Sequence, residues 1–430
     1  MNKRLSLIWV ILGLAAGLIL AQAKPAKVIA IKGAKIIPVV GDDLESGTIL
    51  IRDGKIDALG PEVAIPSGAE IVEAKGLRAY PGMIDGYSFL GLQEISGVSA
   101  TVDNRETGRL NPQVRAIEAV RYDSMHIPIA RSNGITAALV APTGGLISGQ
   151  STLIKLDGWT NREMVIKTSA AMQIEFPGIR GGRGGFGGLG RGGAVAADAT
   201  RLIAELKDLF KDARYYQKRK EFASKNLAVE LPGFQETYEF ILPVLGGELP
   251  VMISVHSERD IKAAIQFVKD EHLNAVFFGV EQGWKAADDL KKSNIPVIIG
   301  SLYNMPPVWD DGYDSLFRNP GVLNKAGVKI AFSSSSASLA KDLPYHAAKA
   351  AAFGLDKKEA LKAVTIYPAE IFGVDKIMGS LEKGKTANIV LSDGDILETR
   401  TNIKKVYIDG KETDMSNRYL ELLEKFKKRG

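Results

Sequence analysis

Side chains able to do chemistry are sparse in this chain of 430 residues, which has four histidines and no cysteine. Without thiols there is no disulfide, no thiolate metal centre and no lipid anchor at a cysteine. Three apolar runs end in polar groups, as buried strands do where they surface. Pro81-Gly82-Met83-Ile84 runs into Asp85, Val251–Val255 into His256, and Ile330-Ala331-Phe332 into Ser333–Ser336. A carboxylate, an imidazole and hydroxyls are the parts of acid–base or serine-nucleophile catalysis. A lone base such as His256 supplies about 10²–10⁴ in rate, roughly 3–5 kcal/mol. A Ser–His dyad is the nucleophilic version, but nothing local resembles a strand–turn–helix nucleophile elbow. Each group also has a quieter role: Asp85 as a buried acceptor, the serines as a strand end bonded to backbone, His256 as a pocket residue. Of the remaining histidines, His126 precedes a turn, His272 ends a helix and His346 begins one.

The elements that must hold these residues are legible. From Lys27 to Ala79 the chain reads as short β runs, Val28–Ile31, Ala34–Ile37 and Gly47–Ile51, with Asp53-Gly54 turning into Lys55–Gly60. Ala387–Leu391 and Lys405–Ile408 complement them from the far end. The middle alternates apolar runs with helical patterns, the mark of parallel βα units. Its strands are Ile135–Val140, Val251–Val255, Ala275–Phe278, Val297–Ile299 and Val328–Phe332. Glu258–Glu271, Trp284–Lys292 and Pro344–Phe353 read as helices, the first with Ile261, Ala264, Ile265 and Val268 on one face and Ser257 as its cap. Periodicity fits an α/β barrel and also an open doubly wound sheet.

Length and composition suit one large domain with a smaller one, at 45% hydrophobic and 24% charged residues. The net charge of +5 is mild and gathers in the Gly/Arg stretch and the last residues, so it is no nucleic-acid footprint. Residues 178–193 are rich in Gly and Arg but lack the Lys-Ser/Thr pair of a phosphate loop, and are expected to form a surface loop. A helix over Ala194–Lys225 follows, placed with the loop beside a barrel mouth. The segment 414–430 carries a short amphipathic helix, expected to dock on its own protein. Lys3 and Arg4, the apolar run Leu5–Leu20 and Ala21-Gln22-Ala23 form an export leader with cleavage after Ala23. The expectation is a periplasmic or secreted protein with no stable membrane anchor after cleavage.

Several motifs carry a family resemblance. Pro81–Asp85 resembles the first barrel strand of the amidohydrolase superfamily, where PG[LM]ID precedes His-x-His. Asn133–Ala137 matches a strand of that family. Gly149–Lys155 is similar to a segment of its imidazolonepropionase- and prolidase-like branch. Ala360–Gly373 resembles the family's A-L-x-x-x-T-x-x-P-A helix, and Gly379–Asn388 its G-S-[LI]-E-x-G-K-x-A-D return, with Asn388 in place of the usual aspartate. The resemblance implies a TIM-type (β/α)8 barrel over 80–379 and a small β-sandwich built from both chain ends, 24–79 plus 380–413. It also implies zinc or another divalent metal at the C-terminal strand ends, activating water against non-peptide C–N bonds.

Laid on this chain, the implied ligand positions hold other residues. Tyr87 and Phe89 stand for the first histidine pair, Gln173 for a lysine, Ser254 for one histidine beside His256, and Ser335 for an aspartate. Glu281 follows the sixth strand, where a histidine is usual. A bound metal lowers the pKa of water by about nine units, or about 12 kcal/mol, which a lone base cannot replace. The expectation is therefore no metal and an inactive binding or partner subunit, forming a homo-oligomer or pairing with an intact relative and open to a small-molecule ligand. Tyr87, Phe89, Ser254, Glu281 and Trp284 would line its pocket. The alternative is an active hydrolase with an altered site around Asp85, His256, Glu281 and Ser335.

Overall fold

Asp53 and Gly54 both take left-handed backbone, φ 49° and 80°, the pair of angles that a two-residue hairpin turn demands. They join two strands of the smaller sheet in a computed structural model that describes residues 27–178, 192–226, 228–306 and 309–429. The expected leader and nearly all of the Gly/Arg-rich stretch lie outside the described residues. The first strands are β1 (Val28–Ile36), β2 (Leu44–Arg52), β3 (Lys55–Gly60), β4 (Glu70–Glu73) and β5 (Arg78–Pro81). The two runs expected before and after Gly33 are one strand, because Gly33 at φ 82° forms a bulge between Lys32 and Ala34.

The larger sheet holds β6 (Met83–Ser88), β7 (Ile135–Val140), β8 (Ile147–Lys155), β9 (Val165–Glu175), β10 (Val251–Val255), β11 (Ala275–Gly279), β12 (Val297–Ile299) and β13 (Ile330–Phe332). These eight neighbour one another in sequence order. β14 (Ile389–Ser392), β15 (Ile403–Ile408) and β16 (Lys411–Glu412) then return to the smaller sheet, where β14 pairs with β5 and joins the two chain ends.

The larger sheet departs from a strict βα repeat at one strand. β8 runs antiparallel to both β7 and β9. Its connections are a short turn and the four-residue helix Asn161–Met164, too short for the crossover that parallel strands need. Elsewhere the pairs are parallel and helices intervene, among them Glu258–Asp270, capped by Ser257 through the Asp260 amide. The predicted helix over Trp284–Lys292 is instead a tight turn, Gly283–Lys285, followed by Ala287–Ser293.

Strand alternation sorts the side chains. Ile84, Tyr87, Leu139, Met252, Val276, Ile298 and Ala331 share the inner cluster, while Met83, Val251, Ile253, Phe277, Val297 and Phe332 pack outward under the helices. The barrel interior is a filled core. Its closure between β6 and β13 uses an intervening segment: the Ile84 amide donates to Val364 O at 2.8 Å and the Phe332 amide to Ala363 O at 3.0 Å. The C-terminal helix Arg418–Lys427 forms as expected but does not dock by its apolar stripe. Tyr419, Leu420, Leu423 and Phe426 stay about half exposed, and the helix is held through its cap, Asn417, which donates to Ser132 Oγ.

Candidate functional site

The seam of the barrel closes on Asp85, which is fully buried. Its Oδ1 accepts from the Ser334 amide at 2.9 Å and the Tyr87 amide at 3.3 Å, and its Oδ2 accepts from Ser334 Oγ. Gly86 permits this approach, since a Cβ there would lie 2.8 Å from Phe332 O. Burial pushes the Asp85 carboxyl up to about 7, against the donors from Ser334 and Tyr87 that favour the charged form. With both oxygens taken, Asp85 is a clasp between the first and last strands. Ser334, not Ser335, is the serine that meets it. Ser335 stands at φ 53°, donates its amide to Tyr87 O at 3.0 Å, and places its Oγ 2.9 Å from Ser333 Oγ.

A second group of polar side chains gathers at the ends of β9, β10 and β11. The parallel register sets Glu175 beside Ser254, and Ser254 Oγ donates to Glu175 Oε1 at 3.2 Å. His256 follows, with its Nδ1 2.6 Å from Glu281 Oε2. Two left-handed residues, Gly279 (φ 92°) and Val280 (φ 52°), turn the chain so that Glu281 folds back onto the imidazole. Gly279 is required twice over, because a Cβ there would also sit 2.7 Å from His256 Nδ1. The turn is pinned by the Val280 amide on Val255 O at 2.7 Å and the Gln282 amide on His256 O at 3.0 Å.

The His256 side chain remains 55% exposed, that of Glu281 only 12%. Desolvation pulls the imidazolium down, but the Glu281 hydrogen bond and the charges of Glu281 and Glu175 outweigh it and hold the pKa above the ordinary histidine value. Burial raises Glu175, partly offset by the His256 charge, the Ser254 donor and the Arg105 charge. The imidazole is thus hydrogen-bonded to one carboxylate and lies within the field of a second, Glu175, at the rim. Such a group can accept or release a proton near neutral pH.

Beside this group the inner face is aromatic. The Tyr87 and Phe278 rings stack with centroids 3.9 Å apart and 12° between planes, and Phe89 meets Tyr87 edge-on at 5.6 Å. Burial, reinforced by the Glu175 charge, raises the Tyr87 phenol well above its usual value and keeps it neutral. Gln173 shares the inward face of β9 with Glu175. It is buried, and its Nε2 has no hydrogen-bond partner. Aromatic rings and a primary amide do not fit a divalent cation, which takes imidazole and ionised oxygen donors. Among the described residues no three His, Asp or Glu side chains converge in a metal-binding group.

The other expected residues are placed as follows. Trp284 lies in the turn after Glu281, its amide donating to Asn319 Oδ1 at 2.7 Å and its ring 4.8 Å from Lys285 Nζ. It is thus held against the helix Ser315–Lys325, and its buried Nε1 lacks a partner. His126 Nε2 lies 2.8 Å from Glu94 O. His346 Nδ1 accepts from the Leu302 amide at 3.2 Å, and burial lowers its pKa to about 4. Both serve the scaffold.

A ribbon from the long segment after β6 completes the rim. It pairs Arg105 with Thr143, Leu110 with Ile147 and Arg115 with Gln150, lying along the upper half of β8. Gly145 and Gly149 make room, since a Cβ at either would lie 2.7 Å from Arg109 O or 2.6 Å from Val114 O. Arg109 pairs with Glu205 and ties the ribbon to the helix Gly192–Lys225. Sequence reasoning missed Glu175 and Arg105, and within the run Ser333–Ser336 it chose Ser335 where Ser334 meets Asp85. Alternation of Ala171, Gln173 and Glu175 was the available signal for the first. Loop path places Arg105, and strand register decides for Ser334 over Ser335.

The barrel, its sequential strand order and its polar C-terminal rim can be set beside known proteins. The model of the Amidohydrolase family matches residues 258–413. Amidohydrolase tasK of Hapsidospora irregularis is 23% identical over 395 residues, which cover 85% of this chain and 39% of that protein. The chain thus spans about two fifths of the length of that curated relative. The crystal structure of an amidohydrolase from Thermotoga maritima superposes with a TM-score of 0.79 at 25% identity, covering 90% of this chain and 99% of that one. A prolidase crystallised with N-methylphosphonate-L-proline shares the fold at TM-score 0.54 and 15% identity, covering 90% of this chain and 100% of its own. The family model, the curated relative and the Thermotoga maritima structure together support assigning the chain to the amidohydrolase superfamily.

Proposed function

We propose that this chain is an exported binding or partner subunit built on a hydrolase barrel that no longer holds the superfamily's divalent metal. The observation that carries the reading is that Tyr87 and Phe89, at the positions where the family resemblance implies the first pair of metal-binding histidines, pack against each other while Tyr87 stacks on Phe278. Gln173 adds an amide where a charged ligand would be needed. A half-exposed imidazole beside carboxylates and aromatic rings suits recognition of a small molecule or a partner's surface. The curated relative, which carries the matching region within a much longer chain, is consistent with a barrel that works beside other modules. The leader predicted from Lys3 to Ala23 underlies the exported placement.

The test is metal analysis of the full chain purified without chelators, followed by hydrolysis assays on N-acyl amino acids and dipeptides with and without added zinc or manganese. The expected result is far less than one metal ion per chain and no hydrolysis above buffer. A metal retained stoichiometrically through dialysis overturns the proposal. The second reading, metal-free hydrolysis, is favoured by the Glu175, His256 and Glu281 group. It requires turnover without metal that His256→Ala abolishes, following the protonation of that imidazole across pH.

A further inference from the structure

Beyond its cap, the helix Arg418–Lys427 stands clear of the body of the protein: every residue from Arg418 to Arg429 is exposed except partly buried Leu422. At about 3.6 residues per turn, Tyr419, Leu422, Leu423 and Phe426 fall on one side of it. Both of its carboxylates, Glu421 and Glu424, fall on the opposite side. Lys425 and Arg429 flank one edge of the apolar stripe and Lys427 the other. The Arg429 guanidinium lies 4.6 Å from the centre of the Phe426 ring.

The ion pairs do not use up the positive charge. Arg418 is paired with Glu421 at 3.4 Å and Lys427 with Glu424 at 2.9 Å, whereas Lys425, Lys428 and Arg429 make no ion pair among the described residues. The excess of cations opposes pairing with the same helix of a second copy, and a face of ten residues is small beside the roughly 800 Å² that each partner of a stable complex buries. A second observation lies at the same end of the barrel. Trp159 is 84% exposed, in the turn after β8. One guanidinium links that turn to the helix, since Arg131 donates to Asp157 Oδ1 at 2.9 Å and to Asp414 O at 2.8 Å. Aromatic rings beside an apolar stripe flanked by Lys and Arg are what the boundary between lipid headgroups and acyl chains accepts.

We propose that this end of the protein rests on an anionic bilayer surface. The helix lies in the headgroup layer, with Tyr419, Leu423 and Phe426 toward the acyl chains and Lys425 and Arg429 on lipid phosphates. The attachment is peripheral and reversible, and no helix among the described residues is long and apolar enough to cross a membrane. The helix cap meets Ser132, just before β7 begins at Ile135, which is the opposite end of the barrel from the rim. The rim therefore faces away from the bilayer, and the assignment stands whether the rim binds a ligand or hydrolyses one.

The experiment floats the chain from Lys24 onward, which holds the whole described fold without the apolar run Leu5–Leu20, with vesicles of phosphatidylglycerol and phosphatidylcholine. The expected result is saturable binding that falls with added salt and is about tenfold weaker, or more, on phosphatidylcholine alone. Leu423→Glu with Phe426→Glu should abolish it, and Lys425→Glu with Arg429→Glu should weaken it about tenfold or more. All four side chains are exposed, so both variants should unfold at the wild-type urea midpoint. Ile95→Glu, at a site 54% exposed that follows the C-terminal end of β6 at the rim, should leave binding unchanged. No binding to the anionic vesicles, equal binding to neutral ones, wild-type binding in both helix variants, or equal loss with Ile95→Glu would each overturn the assignment. A chain that ignores vesicles but sediments as a dimer until Leu423 and Phe426 are replaced would give the stripe to a second copy instead.

Discussion

Replacing Asp85 by Asn isolates one buried ionisation and should change how stability depends on pH. Its carboxyl is raised from 3.8 to about 7, chiefly by burial. Between those values the native state keeps a proton that the unfolded chain has released. The stabilisation is therefore complete below about pH 4 and is lost as pH rises through about 7. The full shift corresponds to about 4 kcal/mol, of which about 2.5 kcal/mol falls between pH 5 and pH 8. Asparagine copies the protonated form: its oxygen can accept from the Ser334 and Tyr87 amides, and its Nδ2 can donate to Ser334 Oγ, which has Ser336 O as an alternative acceptor at 3.0 Å. Other titrating groups, Glu175 and His256 among them, are common to both proteins and cancel in the comparison. Urea unfolding of wild type and Asp85→Asn at pH 5, 6, 7 and 8 measures the difference. The variant should gain on the wild type by about 2–3 kcal/mol from the lowest to the highest pH. Curves that stay parallel to within about 0.5 kcal/mol would show that Asp85 remains ionised throughout, and the burial argument would fail.

Two further substitutions test the rim. Glu281→Gln removes the charge and weakens the hydrogen bond that hold His256 above its ordinary pKa, so the imidazole should titrate at lower pH when followed by NMR; an unmoved midpoint would assign the shift elsewhere. Gly279→Ala forces an L residue to φ 92° and drives a methyl into His256 Nδ1, and should cost about 1–3 kcal/mol in unfolding experiments while separating His256 from Glu281. A variant as stable as wild type, with the His256 titration unchanged, would refute that packing.

Much of the architecture was readable in order along the chain. The βα alternation from Val251 to Phe332, the turn at Asp53-Gly54 and the cap at Ser257 are local signals, and the structure follows them. The reversed strand β8 was not foreseen. Its composition resembles that of its neighbours, and direction depends on the length of the connections. The expected docking of the last helix misread an amphipathic pattern as evidence of contact. The pattern says which face is apolar but not whether anything covers it.

What the sequence determined by itself was the inventory: four histidines, no thiol, and aromatic, amide and hydroxyl side chains where the superfamily resemblance places metal ligands. What the tertiary structure alone decided was which of those residues touch. Asp85, expected near His256, is committed to Ser334 across the barrel seam, whereas Glu175, Ser254, His256 and Glu281 meet at the rim. The physical reason is that side-chain proximity in a closed sheet follows from strand register and from left-handed turns such as Gly279–Val280. Both are set by hydrogen bonds between segments far apart in the chain, and no local spacing encodes them.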